Sequence, residues 1–307
     1  MRIVYLGTPD FAEKPLEKLI ENGYDVVAVI TNKDKPVGRK QILTAPPVKK
    51  LALAYGIQVL QYDKIRVEGV EDLKALKPDL MITCAFGQIL SKEILDIPPL
   101  GVINIHASLL PKYRGASPIH FAILNGETET GITIMKTDIG IDTGDIIAQE
   151  KIDILDGETC GELFDRLSVL GAELLIKTLP SILDKSAKFV KQDDESASYT
   201  KIIDKQMANI DWTKSAKDVV NQVRAFNPMP TAFTIFEGNP FKIHQAVECD
   251  LAGQVGKVIK ADNSLVIGCG EKSVELKIVQ KAGGKPMNIG DFLRGNKISV
   301  GEEFGKW

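Results

Sequence analysis

Histidine, paired cysteine and long apolar runs are scarce in this chain of 307 residues. Its four cysteines, Cys84, Cys160, Cys249 and Cys269, are far apart and form no CxxC pair. That argues against a zinc site or a disulfide framework and reads each thiol as a small buried hydrophobe. The three histidines, His106, His120 and His244, include no i, i+4 pair, so no metal is expected. No apolar stretch approaches the roughly 18–20 residues of a membrane span. The opening MRIVYLGTPDF holds one basic residue and a short strand-like run where a signal peptide would differ, so a cytoplasmic protein is expected. Neither G-x-G-x-x-G nor G-x-x-x-x-G-K-[ST] occurs: only Gly7 follows the first strand, and Pro9 removes a backbone donor. A dinucleotide cradle and a P-loop are thereby excluded. Internal repeats and low-complexity tracts are also missing.

What is present is an ordinary globular composition, 44% hydrophobic and 26% charged, in a chain long enough for two cores. The net charge of −3 conceals an asymmetry. Residues 201–307 hold 15 basic against 12 acidic side chains, a net of +3, which leaves −6 on residues 1–200. Within the acidic part, KDKPVGRKQILTAPPVKK (33–50) carries six basic residues and one acidic. Basic surface is local, and a single Lys-rich loop is by default solvated.

The first half alternates strand-like runs with helix-like ones. RIVYLG, DVVAVIT, DLMITCAFG and GVINIH are short, β-branched and apolar almost throughout, as strands covered on both faces are. Between them lie 11–23, 46–56 and 70–77, with apolar positions near helical spacing. This βαβα order predicts an α/β fold with a doubly wound, mainly parallel sheet. Thr159-Cys-Gly-Glu162 is a capping box opening a long helix to about residue 183. Residues 185–208 are polar and mixed and read as a linker. Beyond a helix at 215–226 the chain turns into short runs separated by Gly and Asp262-Asn263, the pattern of a small β-barrel. The expected domains are 1–184, the linker 185–208, and 209–307.

The strand at 101–106 is anomalous. Side chains alternate along a strand, so Val102, Asn104 and His106 share one face and Ile103 and Ile105 the other. A lone histidine there is most often a satisfied core residue. An amide and an imidazole two residues apart, at the carboxyl end of an otherwise aliphatic parallel strand, point to a site. Asn supplies an N–H, and His a proton that moves near neutral pH; both suit a carbonyl that gains negative charge under nucleophilic attack. A carboxylate to hold the imidazole is available in TDIGIDTGDI (137–146), from Asp138, Asp142 or Asp145. Gly140 and Gly144 flank Asp142 and permit close approach of its backbone to a ligand. No serine or cysteine nucleophile is evidently paired with His106, so the nucleophile comes from a substrate: group transfer between two bound molecules.

The ordered stretches NIHASLLPKYRGASPI and GITIMKTDIGIDTGDI resemble the signature of the formyltransferases that use 10-formyltetrahydrofolate. The resemblance puts Asn104, His106 and Asp142 on the catalytic positions and implies a Rossmann-like formyltransferase fold. It implies folate along Ser108, Leu109, Leu110 and Pro111, with the pterin bordered by Phe86, Gly87, Gln88, Ile89 and Leu90 on one side and Asp138 and Gly140 on the other. GTPDFA (7–12), TNKDKPVGRKQILTAPPVKKLA (31–52), VRAFNPMPTAF (223–233) and GDFLRGNKI (290–298) are similar to the members whose acceptor is methionyl-tRNA, so the resemblance covers essentially the whole chain. It implies a C-terminal domain of OB type, initiator methionyl-tRNA as partner, a monomer, and a role at translation initiation. Lys33, Lys35, Arg39 and Lys40 would then brace the acceptor stem, and Lys257, Lys260, Lys277, Lys281 and Lys285 would face the tRNA body. In the first of these loops Gly38-Arg39-Lys40-Gln41 stands where members often have a further glycine and lysine pair.

Overall fold

The computed structural model describes residues 1–38 and 40–305; Arg39, one of the expected tRNA-binding residues, lies outside them. Seven strands form one sheet: β1 (Arg2–Gly7), β2 (Asp25–Thr31), β3 (Gln58–Gln61), β4 (Leu80–Cys84), β5 (Val102–His106), β6 (Glu129–Lys136) and β7 (Ile146–Asp153). Their order is β7-β6-β5-β4-β1-β2-β3. The pairs from β5 through β3 are parallel, and β6 runs antiparallel to β5.

Both faces of the central strands are covered, as their aliphatic sequences require. On one face Val4, Leu6, Ala28, Ile30, Met81 and Val102 pack with Tyr62, Ile65, Leu73, Phe86 and Ile94. On the other face, Ile105 meets the long helix Cys160–Leu183, where a Cβ on Gly171 would lie 3.1 Å from the isoleucine Cγ2. That helix starts at the expected capping box. Glu162 accepts from the Thr159 N–H at 2.8 Å, and the Thr159 hydroxyl accepts in return from Glu162 N–H at 3.3 Å.

The chain divides into two compact units. The first comprises Met1–Pro118, Glu129–Ile152 and Phe164–Lys201, and the second Ile119–Thr128, Asp153–Leu163 and the chain from Ile202. Boundaries at 184 and 208 therefore shift: residues 185–201, read above as linker, fold onto the first unit. Tyr199–Thr200 pairs in parallel with Arg114–Gly115, and Gln192 is buried there. Polar composition misleads because a few of these side chains, Gln192 and Ser198 among them, bond to the body of the unit while the rest stay exposed.

The second unit contains an antiparallel half-barrel sheet: β8 (Phe233–Phe236), β9 (Asn239–Cys249), β10 (Val258–Ala261), β11 (Leu265–Gly268), β12 (Ser273–Lys281) and β13 (Met287–Asn288). The order is β8-β9-β12-β11-β10, with β13 beside β12. Its core gathers Trp212, Phe226, Phe241, Phe292 and Phe304 with the inward aliphatics, and the Trp212 indole donates to the Thr234 hydroxyl at 2.9 Å. Among the described residues no helix is long and apolar enough to cross a membrane.

Candidate active site

Asn104, His106 and Asp142 come together at the carboxyl end of β5. The Asn104 Nδ2 stands 3.5 Å from Asp142 Oδ1, and His106 Nδ1 stands 3.5 Å from Asp142 Oδ2. Asp142 lies in the connection from β6 to β7, with its backbone at φ 52. Its Oδ2 also accepts from the Gly115 N–H at 2.8 Å. The flanking glycine at 144 serves the loop itself: a Cβ there would fall 1.7 Å from the Lys136 carbonyl oxygen. Close approach is thus needed, and the partner is the chain's own backbone.

Hydrogen bonds orient each group. His106 is buried, and its Nε2 lies 3.0 Å from the Tyr113 carbonyl, which can only accept. Nε2 therefore carries hydrogen, and Nδ1 is the nitrogen that faces the carboxylate. The Asn104 amide is held in the same way. Thr83, its register partner on β4, places its hydroxyl 2.8 Å from Asn104 Oδ1 and 3.2 Å from the Ile103 carbonyl, while the Asp142 carboxylate, which only accepts, fixes Nδ2 as the end that faces it.

The neighbouring loops are tied down from the sheet. Ser108 is fully buried, with its hydroxyl on the Lys112 carbonyl at 2.7 Å, and Leu110 is buried too. Leu109 and Pro111 are the half-exposed members of that stretch. Thr133, opposite His106 on β6, donates to the Ser108 carbonyl, and Gln149 donates to the Leu110 carbonyl at 2.9 Å. On the loop after β4, Gln88 is committed to holding its own loop: it donates to Asn32 Oδ1 and the Tyr62 carbonyl and accepts from Ile65 N–H. Asn32 in turn donates to the Phe86 carbonyl at 3.1 Å. Gly87 sits at φ 76, a conformation that favours glycine. Leu90 is half-buried, whereas Ile89, Ile139 and Ile141 are well exposed. Asp138 accepts from Gly140 N–H and the Thr143 hydroxyl, which stiffens the turn before Asp142.

Thr83, Thr133, Gln149 and Gln192 escaped sequence reading. The first two are register partners of Asn104 and His106, a signal available only once strand order is known.

The basic residues divide between the units. In the first, Lys33 is exposed and pairs with Asp63, while Lys35 and Lys40 stand exposed on the hairpin made by Lys35–Val37 and Ile42–Thr44. In the second, Lys260 pairs with Asp262 at 3.6 Å and Lys277 with Glu275 at 2.7 Å; Lys281 donates to Asn296 Oδ1 at 3.1 Å. Lys285 is exposed and Lys257 half-buried. Such exposed pairs are weak, in the range of about 0–1 kcal/mol, so phosphate could replace the carboxylates at little cost.

An open parallel sheet with an amide, an imidazole and a carboxylate converging at its carboxyl edge, and no protein nucleophile among them, defines a group transferase acting between two bound substrates. The chain matches the Formyl transferase model over residues 1–179 and the Formyl transferase, C-terminal domain model over 202–297. It is 45% identical over 312 residues to the methionyl-tRNA formyltransferase of Ruminiclostridium cellulolyticum, covering 100% of each chain. It is 44% identical to that of Bacillus subtilis, covering 99% of this chain and 98% of the relative. Among solved structures, the N-formyltransferase of Helicobacter canadensis in complex with folinic acid and dTDP-3-aminofucose superposes with a TM-score of 0.69 at 25% identity, over 91% of this chain and 98% of that one. The chain belongs to the formyl transferase family.

Proposed function

We propose that this chain transfers a formyl group from 10-formyltetrahydrofolate to the α-amino group of initiator methionyl-tRNA in the cytoplasm, as a monomer. The likeness to methionyl-tRNA formyltransferases over the full length, including the C-terminal domain, carries the choice of acceptor. The folate fits the residues present: exposed Ile89, Ile139 and Ile141 offer apolar surface to a flat heterocycle beside the polar triad, with Leu109 and Pro111 open along its path.

When bound, the folate supplies the formyl carbonyl that the acceptor amine attacks. Asn104 Nδ2 donates to the carbonyl oxygen as negative charge gathers there, and protonated His106 Nδ1 adds a second donor. Asp142 holds the imidazole and takes the proton released by the amine. The His106–Asp142 pair then returns a proton to the departing nitrogen, which closes the proton balance. Lys33 and the hairpin residues Lys35 and Lys40 meet the acceptor stem, and the lysines of the second unit meet the tRNA body as point charges against phosphate.

Single-turnover formylation of Asn104→Ala, His106→Ala and Asp142→Ala tests these roles. Each is expected to lose on the order of 10²–10³ in rate with the fold intact. A variant that retains its rate removes its residue from the scheme.

A further inference from the structure

The loop that carries Asp142 is gripped from outside by one side chain, and that side chain is backed by a buried cation. Gln192 is buried; its Nε2 donates to the Asp142 carbonyl at 2.8 Å and to the Gly144 carbonyl at 2.7 Å. Its Oε1 accepts two hydrogen bonds from Arg114, from Nε at 3.0 Å and Nη2 at 2.8 Å. The orientation of this amide is unambiguous, since a flip would set oxygen against two carbonyls and NH2 against a guanidinium. Arg114 is 1% exposed and its fork also reaches Asp194 Oδ1 at 2.8 Å and the Tyr199 hydroxyl at 3.2 Å.

Burying a guanidinium is costly unless its donors are used, and an apolar side chain would fill the same space at lower cost. Here the planar fork does what no apolar group could: it fixes Oε1 and so aims both amide hydrogens at the Asp142 loop. The chain next to the cation completes the clamp, because the Gly115 N–H binds the Asp142 carboxylate itself.

We propose that Gln192, backed by Arg114, is a positioning residue for the transfer reaction: it holds the Asp142 loop so that the carboxylate stays beside His106 Nδ1. The inference rests on the catalytic reading given above for Asp142. It assigns function to a segment that composition alone marks as a linker.

Gln192→Glu tests it. Glutamate keeps the shape and the pairing with Arg114 but cannot donate to the two loop carbonyls. In the substrate-free protein, hydrogen exchange at the Gly115 amide is expected to quicken at least about tenfold, because a loosened carboxylate protects it less. Single-turnover transfer at saturating substrates is expected to fall about 10²-fold, the size of effect a displacement near 1 Å produces. In an Asp142→Asn background the same substitution should change the residual rate by less than about twofold, since coupled residues do not add. Gln192→Met, which removes the amide without adding charge, should reproduce the Gly115 response. Unchanged Gly115 protection in both variants, or an equal rate loss in both backgrounds, would overturn the proposal. The exchange measurement uses no substrate, so it judges the clamp independently of whether the acceptor assignment holds.

Discussion

Thr83→Val offers the sharpest small perturbation of the site. Valine has nearly the volume and the β-branching of threonine, so β4 keeps its packing and only the hydroxyl is lost. That hydroxyl donates to Asn104 Oδ1 at 2.8 Å, and its removal leaves the oxygen without this donor. A neutral hydrogen bond of this kind contributes about 0.5–1.5 kcal/mol, so stability should fall by about 1 kcal/mol. The rate effect has a different origin. The Asp142 carboxylate, 3.5 Å from Nδ2, fixes which end of the amide is NH2, and the Thr83 hydroxyl holds the plane in which that N–H points. In the valine variant only the contact with the carboxylate remains, and the amide is free to rock about χ2. Weakening the donor's hold on the transition state by about 1–1.4 kcal/mol corresponds to about a five- to tenfold loss in rate. That is well short of the 10²–10³ expected for removing the donor altogether. Single-turnover formylation at saturating substrates reads the effect directly, and Thr83→Ser, which restores the hydroxyl, should return most of the rate. A folded Thr83→Val enzyme within twofold of wild type would refute the view that Asn104 acts through an aimed N–H.

Three further outcomes follow from the same observations. Affinity for tRNA should fall steeply with added salt while folate affinity stays nearly level, because phosphate contacts release counterions and the folate site is built from apolar and dipolar groups; parallel slopes in titrations would contradict this. Burial pushes the Cys84, Cys160 and Cys269 thiols up to about 12, whereas Cys249 is part-exposed, so a thiol reagent should label at most one site in the native protein and four after denaturation. His120, half-buried and with its ring 6.4 Å from that of Phe226, has its pKa lowered by desolvation, opposed by a backbone hydrogen bond at Met229. The unfolded chain then binds more protons below about pH 6.5, so stability is full above that value and is lost as pH falls toward the folded pKa. His120→Gln should flatten the stability profile below about pH 6.5, as measured by denaturant unfolding.

The first sheet and the heart of the site were legible because their physics is local. Strands apolar on both faces announce a covered parallel sheet, and period-two alternation alone put Asn104 and His106 on one face. The capping box at Thr159 was equally local, whereas the basic stretch at 33–50 read as a loop and folds in part as a hairpin. What could not be read depends on partners far apart in sequence. Thr83 matters through its register with Asn104, and Gln192 acts on a carbonyl 50 positions away. The polar stretch around Gln192 looks solvated in one dimension, and most of it is, yet Gln192 itself is buried against Arg114. Ser108 illustrates the reverse: a hydroxyl that a motif presents as a ligand contact is spent on the Lys112 carbonyl, which leaves Leu109 and Pro111 as the accessible members.

The most direct test of the central claim is single-turnover transfer from 10-formyltetrahydrofolate with either charged initiator methionyl-tRNA or free methionine as acceptor. The account predicts formylation of the methionyl-tRNA and negligible transfer to the free amino acid, which lacks the phosphates that the basic surfaces bind. Consumption of the folate without formylation of the tRNA would contradict it.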